Sequence, residues 1–268
     1  EIMEDGHTLH LPYATSLRMG DLGYQSKVQE SLYVCYNSKA DYIQSLCCAI
    51  TQAHPDYEKI GVKDANGDYK QLNTSILQIE NEFYSAIRPK RTAKPGETAL
   101  TALRKRGVEY IEVRCLDVNP DSPYGISPEQ IYFLDTFLVY CAIAPSADTS
   151  PEEAAMILRN QKKVVTQGRA PEVQLESAVF GSVALKDWGE SLMKAMAPIA
   201  QLLDDALQTE VHQQALDAQH AKLRDSELTP SAKILNTLRG EQLSFPKYAL
   251  AKAAQHRQFY NAIPLGDN

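Results

Sequence analysis

Apolar and polar residues alternate in stretches of the first half of the chain, while the second half repeats its apolar positions at helical spacing. Residues 38–53 read as a helix: Ser38 can cap it, Asp41 falls at the third position, and Tyr42, Leu46, Ala49 and Ala53 share one face. Residues 62–72 carry Asn66-Gly67 between short alternating segments, which predicts a hairpin. Residues 76–87 alternate as a strand does, residues 98–106 make a short helix stopped by Gly107, and residues 108–118 are strand-like again. Ser127-Pro128-Glu129-Gln130 then opens a helix with a capping serine, a first-turn proline and a glutamine at the third position. Its predicted apolar face is Ile131, Leu134, Leu138 and Cys141. Residues 145–150 form the best linker, and Ser150-Pro151-Glu152-Glu153 repeats the start signal. Further on, Trp188, Leu192, Ala195, Ile199, Leu202 and Ala206 make a helical stripe in which Pro198 predicts a kink or break. Thr229-Pro230 and Phe245-Pro246 mark two more helix starts. The pattern therefore predicts an α+β chain, with a sheet-bearing portion over 1–145 and a mainly helical region over 146–268.

Composition narrows the function. The 268 residues suffice for one large domain or two modest ones. A net charge of −7, without a basic stripe interleaved with aromatics, argues against nucleic acid as a partner. No run approaches the roughly 18 apolar residues of a membrane span, and no basic segment precedes an apolar one as in a secretory signal. The first residues, Glu1-Ile2-Met3, suggest a cut rather than a natural start. The five cysteines (Cys35, Cys47, Cys48, Cys115, Cys141) are odd in number and show no C-x-x-C spacing, so they read as reduced thiols of a cytoplasmic protein.

Candidate chemistry gathers on two predicted strands. Alternation puts Gln78, Glu80, Glu82 and Tyr84 on one face of the first, and Tyr110, Glu112 and Arg114 on one face of the second. Carboxylates so arranged suit a hard cation such as Mg²⁺, and a neighbouring arginine suits a carboxylate or a transferring phosphoryl group. Alternation alone favours a simpler reading, a solvated face with surface ion pairs. Arg88-Pro89-Lys90-Arg91 reads equally as a contact for nucleotide phosphates and as a solvated basic turn. His7 and His10, near Glu4 and Asp5, have H-x-x-H spacing but read as an exposed terminal segment. The chain lacks G-x-x-x-x-G-K-[ST], G-x-G-x-x-G and G-x-S-x-G, which disfavours a P-loop ATPase and a standard serine hydrolase.

Taken together, three blocks resemble the bacterial glutamate–cysteine ligases. They are Pro12-Tyr13-Ala14-Thr15-Ser16-Leu17-Arg18-Met19 with Asp21-Leu22-Gly23-Tyr24, then residues 77–84 running into Ile87-Arg88-Pro89-Lys90-Arg91, then residues 107–114 continuing to Leu116-Asp117-Val118-Asn119-Pro120. The likeness weakens in the helical tail, where Ser231-Ala232-Lys233-Ile234-Leu235 is the best remaining match.

The resemblance implies a fold related to glutamine synthetase, with part of a curved antiparallel sheet forming a funnel-shaped site. It implies the first step of glutathione biosynthesis. ATP, with Mg²⁺ or Mn²⁺, phosphorylates the γ-carboxylate of glutamate, and the amine of cysteine displaces phosphate from the γ-glutamyl phosphate. Carried over, Glu112 is a metal ligand. Arg114 lies by the phosphates and the reacting carboxyl. Arg18 contacts a substrate carboxylate or the acyl phosphate, and Tyr24 and Tyr84 line the cysteine pocket. Arg88 and Lys90 fall to the nucleotide. Glu80 and Glu82 lie in matching blocks without an assigned role. The family's N-terminal half supplies further metal-binding acids and a histidine, so the expected completion is by that half, either as a separate chain or within an uncut precursor. The competing expectation is a non-catalytic substrate-binding or regulatory fragment, and a helical interaction protein is a third.

Overall fold

The computed structural model describes residues 3, 6, 8–30 and 32–264. His7, Glu4 and Asp5 lie outside them, while His10 Nε2 stands 3.1 Å from an Arg239 guanidinium nitrogen. The elements, in order, are α1 (Lys39–Ala49), α2 (Pro55–Ile60), β1 (Ile87–Lys90), α3 (Ala99–Arg106), β2 (Tyr110–Val113), α4 (Pro128–Ile143), α5 (Pro151–Gln167), β3 (Gln174–Ser177), β4 (Gly181–Ala184), α6 (Leu185–Leu207), α7 (Val211–Arg224), α8 (Pro230–Gly240) and α9 (Phe245–Asn261). The class is α+β. Two compact units share the chain. Arg18–Leu116 with Ala147–Ala155 form a sheet unit, and the described residues up to Leu17, Asp117–Ser146 and the chain from Met156 onward form a helical unit. The units interleave in sequence, whereas the pattern suggested one cut at 145/146.

In the sheet unit, α1 follows the expected start. The Ser38 hydroxyl accepts from the Asp41 amide at 3.1 Å, and Tyr42, Ile43, Leu46 and Ala49 turn inward. The helix stops at Ala49, so Ala53 leaves the predicted face and bridges Ser75 instead. The core joins these residues to Val34, Ile76, Leu77, Phe83, Leu100 and Leu103. Cys47 packs against this core, and all five cysteines are free thiols. The Asn66-Gly67 turn forms, but it closes only a single bridge, Lys63 to Tyr69. α3 is capped by Thr98 and ends at Gly107, whose φ of 78° lies in the region that glycine tolerates best.

The strand expected over 76–87 does not form. Ile76 and Leu77 donate to Gln52 and Ala49, a 3₁₀ turn occupies Glu80–Glu82, and β1 begins only at Ile87. The polar side chains explain the change. Glu82 accepts from the Gln78 amide at 2.7 Å and Glu80 from the Leu100 amide at 2.7 Å, so both carboxylates satisfy backbone donors instead of sharing a strand face. The strand expected over 108–118 is likewise reduced to Tyr110–Val113. β1 and β2 pair antiparallel, with Arg88 opposite Glu112, Pro89 opposite Ile111 and Lys90 opposite Tyr110.

In the helical unit, α4 opens with the predicted capping box: Ser127 accepts from Gln130, whose side chain accepts in return. Its inward face differs from expectation. Phe133, Phe137 and Tyr140 pack on Met196, Ala200 and Leu216, while Ile131 and Cys141 are exposed. α6 runs unbroken through Pro198, which sits on the exposed side, where the carbonyl it orphans can meet water. The stripe is also rotated from the predicted one: Met196, Ile199, Ala200 and Asp204 are buried, and Leu202 is exposed. The β3–β4 hairpin was not expected in this region at all.

Candidate active site

Residues 18–24 fold back tightly, with Gly23 donating to Gly20 at 2.9 Å and the Tyr24 amide donating to the Arg18 carbonyl at 2.5 Å. This loop lies against the end of the β1–β2 pair. The Arg18 Nε donates to the Arg114 carbonyl at 2.5 Å, and the Arg114 amide donates to Ala86, one step beyond the ladder. Both guanidinium groups rest over the Tyr24 ring, 4.8 Å from its centroid for Arg18 and 4.7 Å for Arg114. Cations so placed are drawn to the ring's negative face, by about 1 kcal/mol each. The Tyr84 ring packs on Tyr24 at 4.5 Å with a 58° tilt. From β1, Arg88 Nη2 donates to the Tyr24 hydroxyl at 3.0 Å and Nη1 to the Asn81 carbonyl at 3.1 Å.

Glu112 stands opposite Arg88 in the register and takes the Arg114 guanidinium at 3.4 Å. That is a long, partly solvated ion pair of modest energetic weight. The pairing does bear out the shared face of Glu112 and Arg114. Arg88 is only 5% exposed. Two phenols lie in its field: burial pushes both Tyr36 and Tyr42 above the usual phenol range, against the lowering influence of Arg88. Both therefore stay neutral at ordinary pH.

Of the seven singled-out residues, Arg18, Tyr84, Arg88 and Arg114 thus meet around the Tyr24 phenol, and Glu112 joins them through Arg114. Lys90 stands apart. It lies two residues along β1, half-buried, and lines a small cavity with Glu80, Asn81, Arg88, Arg91 and Leu100. Sequence reasoning missed Gln29. Its amide donates to the Glu82 carbonyl and accepts from the Tyr84 amide, both at 2.9 Å, and so fixes the backbone that carries Tyr84. No periodicity reveals a contact 55 residues away.

The metal expectation fares differently. Among the described residues, no three His, Cys, Asp or Glu side chains gather as a metal site. Mg²⁺ takes six oxygen ligands in a near-ideal octahedron, and Glu112 alone does not supply a cage. Glu80 and Glu82 are already engaged with backbone amides. The residues present therefore do not fit a complete metal centre.

Fold and site together define an α+β protein in which guanidinium groups and phenols from distant segments cluster. The model of the family described as glutamate-cysteine ligase matches residues 2–164. A glutamate–cysteine ligase of Saccharophagus degradans is 61% identical over 95% of this chain and 48% of its own length. One of Pseudomonas paraeruginosa is 48% identical over 97% of this chain and 49% of its own length. The crystal structure of glutamate–cysteine ligase from Francisella tularensis in complex with AMP superposes with a TM-score of 0.84 at 36% identity, over 94% of this chain and 49% of that one. A bifunctional glutathione synthetase from Pasteurella multocida, at TM-score 0.64 and 17% identity, shares the fold. The chain belongs to the glutamate–cysteine ligase family, and it spans about half the length of the curated relatives it matches.

Proposed function

We propose that the chain carries part of the active site of an ATP-dependent glutamate–cysteine ligase, completed by the half of the family's length that it does not match. The carrying observation is the meeting of Arg18 and Arg114 over Tyr24, from blocks 96 residues apart. In this reading a γ-carboxylate oxygen of glutamate attacks the γ-phosphorus of ATP, giving γ-glutamyl phosphate and ADP. Arg18 and Arg114 steady the charge that develops on the transferring phosphoryl and acyl oxygens. The cysteine nitrogen then attacks the acyl carbon, loses a proton, and phosphate leaves. Tyr24 and Tyr84 wall the cysteine pocket, and Lys90 contacts nucleotide phosphates. The AMP complex of the Francisella relative supports a nucleotide site. No nucleophilic side chain is needed, because both steps are displacements between bound reactants. Glu112 contributes one ligand to a divalent cation whose remaining ligands come from the other half.

A further feature supports completion by that half. Two-stranded sheets are marginal alone, and the face of β1–β2 opposite Glu112 is an apolar groove lined by Tyr36, Ile87, Pro89, Leu103, Val108 and Ile111. Val108 and Ile111 are about half exposed. In this reading the groove is covered and the pair extended into a larger curved antiparallel sheet. No helix among the described residues is long and apolar enough to cross a membrane, and a cytoplasmic setting accords with the free thiols. The lack of a three-ligand metal cluster among the described residues favours, as a second reading, a substrate-binding or regulatory fragment.

The deciding assay is cysteine-dependent ADP release from Mg-ATP and glutamate, omitting each substrate in turn, for the chain alone and with the complementary half added. The ligase reading expects release only with all three substrates and both halves, and a loss of about 10²–10³ in kcat for Arg114→Met. Binding of cysteine with no turnover in the presence of both halves favours the second reading.

A further inference from the structure

The residues from Pro12 to Leu17 are each held by a hydrogen bond within the helical unit. Arg169, just past the end of α5, takes three successive carbonyls. Its Nη2 donates to Pro12, its amide to Tyr13 at 3.0 Å and its Nε to Ala14 at 3.1 Å. The Thr15 amide donates to the Val165 carbonyl at 2.9 Å and its hydroxyl to Val164 at 2.8 Å. The Ser16 hydroxyl and the Leu17 amide, the latter at 3.1 Å, both donate to the Asp117 carboxylate. Arg18 is the next residue in the chain.

The end of α5 is shaped around this segment. A helix leaves its last carbonyls without internal partners. The Arg169 amide, which would prolong α5 by donating to Val165, turns to Tyr13 instead, and the Thr15 amide takes the Val165 carbonyl. Gly168 leaves room for the Thr15 methyl, which lies 2.7 Å from where a Cβ would stand. The Arg169 side chain is buried, and the Glu227 carboxylate that pairs with it is 3.4 Å away and mostly exposed. So long an ion pair offsets little of the desolvation of a guanidinium, which leaves the main-chain bonds to Pro12 and Ala14 as its principal anchors.

We propose that Arg169 is a positioning residue: by clamping residues 12–14 it fixes the backbone from which the Arg18 side chain departs. Residue 169 lies beyond residues 2–164, which the family model matches. Loosening the clamp displaces Arg18 and weakens its hold on the charge that develops during phosphoryl transfer, while ground-state binding of the substrates changes little. The inference rests on the ligase reading for the task of Arg18, but the clamp itself stands without it.

The test uses the chain with its complementary half and compares Arg169→Lys, Arg169→Met, Arg18→Met, the double variant Arg18→Met/Arg169→Met, and Glu227→Gln. Circular dichroism first identifies the variants that fold, and Arg169→Lys carries the comparison if Arg169→Met does not. The positioning role predicts that Arg169→Met lowers kcat about tenfold, with each KM kept within about twofold. Arg169→Lys, which retains one donor, recovers part of the loss, and Glu227→Gln keeps the kcat of wild type. The double variant is no worse than Arg18→Met, since Arg169 acts through Arg18. An unchanged kcat, or additive losses in the double variant, overturns the proposal. If wild type shows no cysteine-dependent turnover, the ligase reading fails, and the Arg18 Nε–H resonance of ¹⁵N-arginine-labelled chain, assigned by its loss in Arg18→Met, decides the clamp. A shift of that resonance in Arg169→Lys or Arg169→Met upholds the positioning of Arg18, and an unmoved resonance sinks it.

Discussion

Asp204 shows how much one buried carboxylate can organise. It sits near the end of α6 at 3% exposure and accepts from the Thr209 hydroxyl, the His212 amide and the His212 Nδ1 with one oxygen, and from the Gln213 amide with the other. It therefore serves the start of α7, which lacks a cap from its own Glu210. Burial pushes the Asp204 carboxyl up, but the bonds from Gln213, His212 and Thr209 outweigh it and hold it at about 2. A carboxyl depressed below its unfolded value of about 3.9 adds stability that is fully present above that pH and is lost as pH falls through the folded value. Melting temperature should thus drop between pH 4 and pH 2, and drop less in Asp204→Asn. Glu97, also held at about 2, first by the Arg106 guanidinium, titrates in the same direction, so the comparison of variants isolates Asp204. Asp204→Ala leaves buried donors without an acceptor and should cost about 3 kcal/mol by denaturant titration at pH 7. If the acid slopes of wild type and Asp204→Asn coincide, the carboxylate does not carry this dependence. Nothing in the apolar stripe of α6 marks Asp204 as buried, because a hydrophobic pattern cannot register a polar residue that caps the next helix.

At the scale of elements, local start and stop signals translate directly into structure. Ser38, Thr98, Ser127 and Thr229 all cap the helices their positions announce. Such signals act within one turn, so they depend little on the rest of the chain. Ser127→Ala should therefore cost about 1 kcal/mol in chemical denaturation, and an unchanged midpoint would show the box to be dispensable. Packing adds constraints that local signals miss. Gly168, just past α5, leaves no room for a side chain: a Cβ would lie 2.5 Å from the Val164 carbonyl oxygen and 2.7 Å from the Thr15 methyl. Thr15 is pinned there by its amide to Val165 and its hydroxyl to Val164. Gly168→Ala should cost about 2 kcal/mol through overpacking, seen as a lower melting temperature; an unaltered one would mean that the segment shifts freely. Residues 76–87 went against their alternation for a related reason. Glu80 serves the first turn of α3 and Leu77 the core, and both contacts outrank a regular ladder.

At the scale of the whole molecule, the chain holds two interleaved units and half of a family's length. On the proposed reading, the apolar groove behind β1–β2 receives the complementary half. Ile111→Arg should change the stability of the chain alone by no more than about 0.5 kcal/mol, since the site is half exposed, yet abolish co-purification with the complementary half. Retained co-purification would place that half's contact elsewhere.

The sequence by itself determined the family, the starts of α1, α3, α4, α5, α8 and α9, and the free thiols, because these depend on identity and short spacing. Only the tertiary structure decided how they serve. It turned Glu80 and Glu82 into backbone acceptors, set Lys90 apart, and recruited Gln29 to hold Tyr84. It also drew Arg18, Arg88 and Arg114 around Tyr24. The physical reason is range: a cap or turn is settled within a few residues, whereas which guanidinium meets which phenol depends on how distant backbone segments are held against one another.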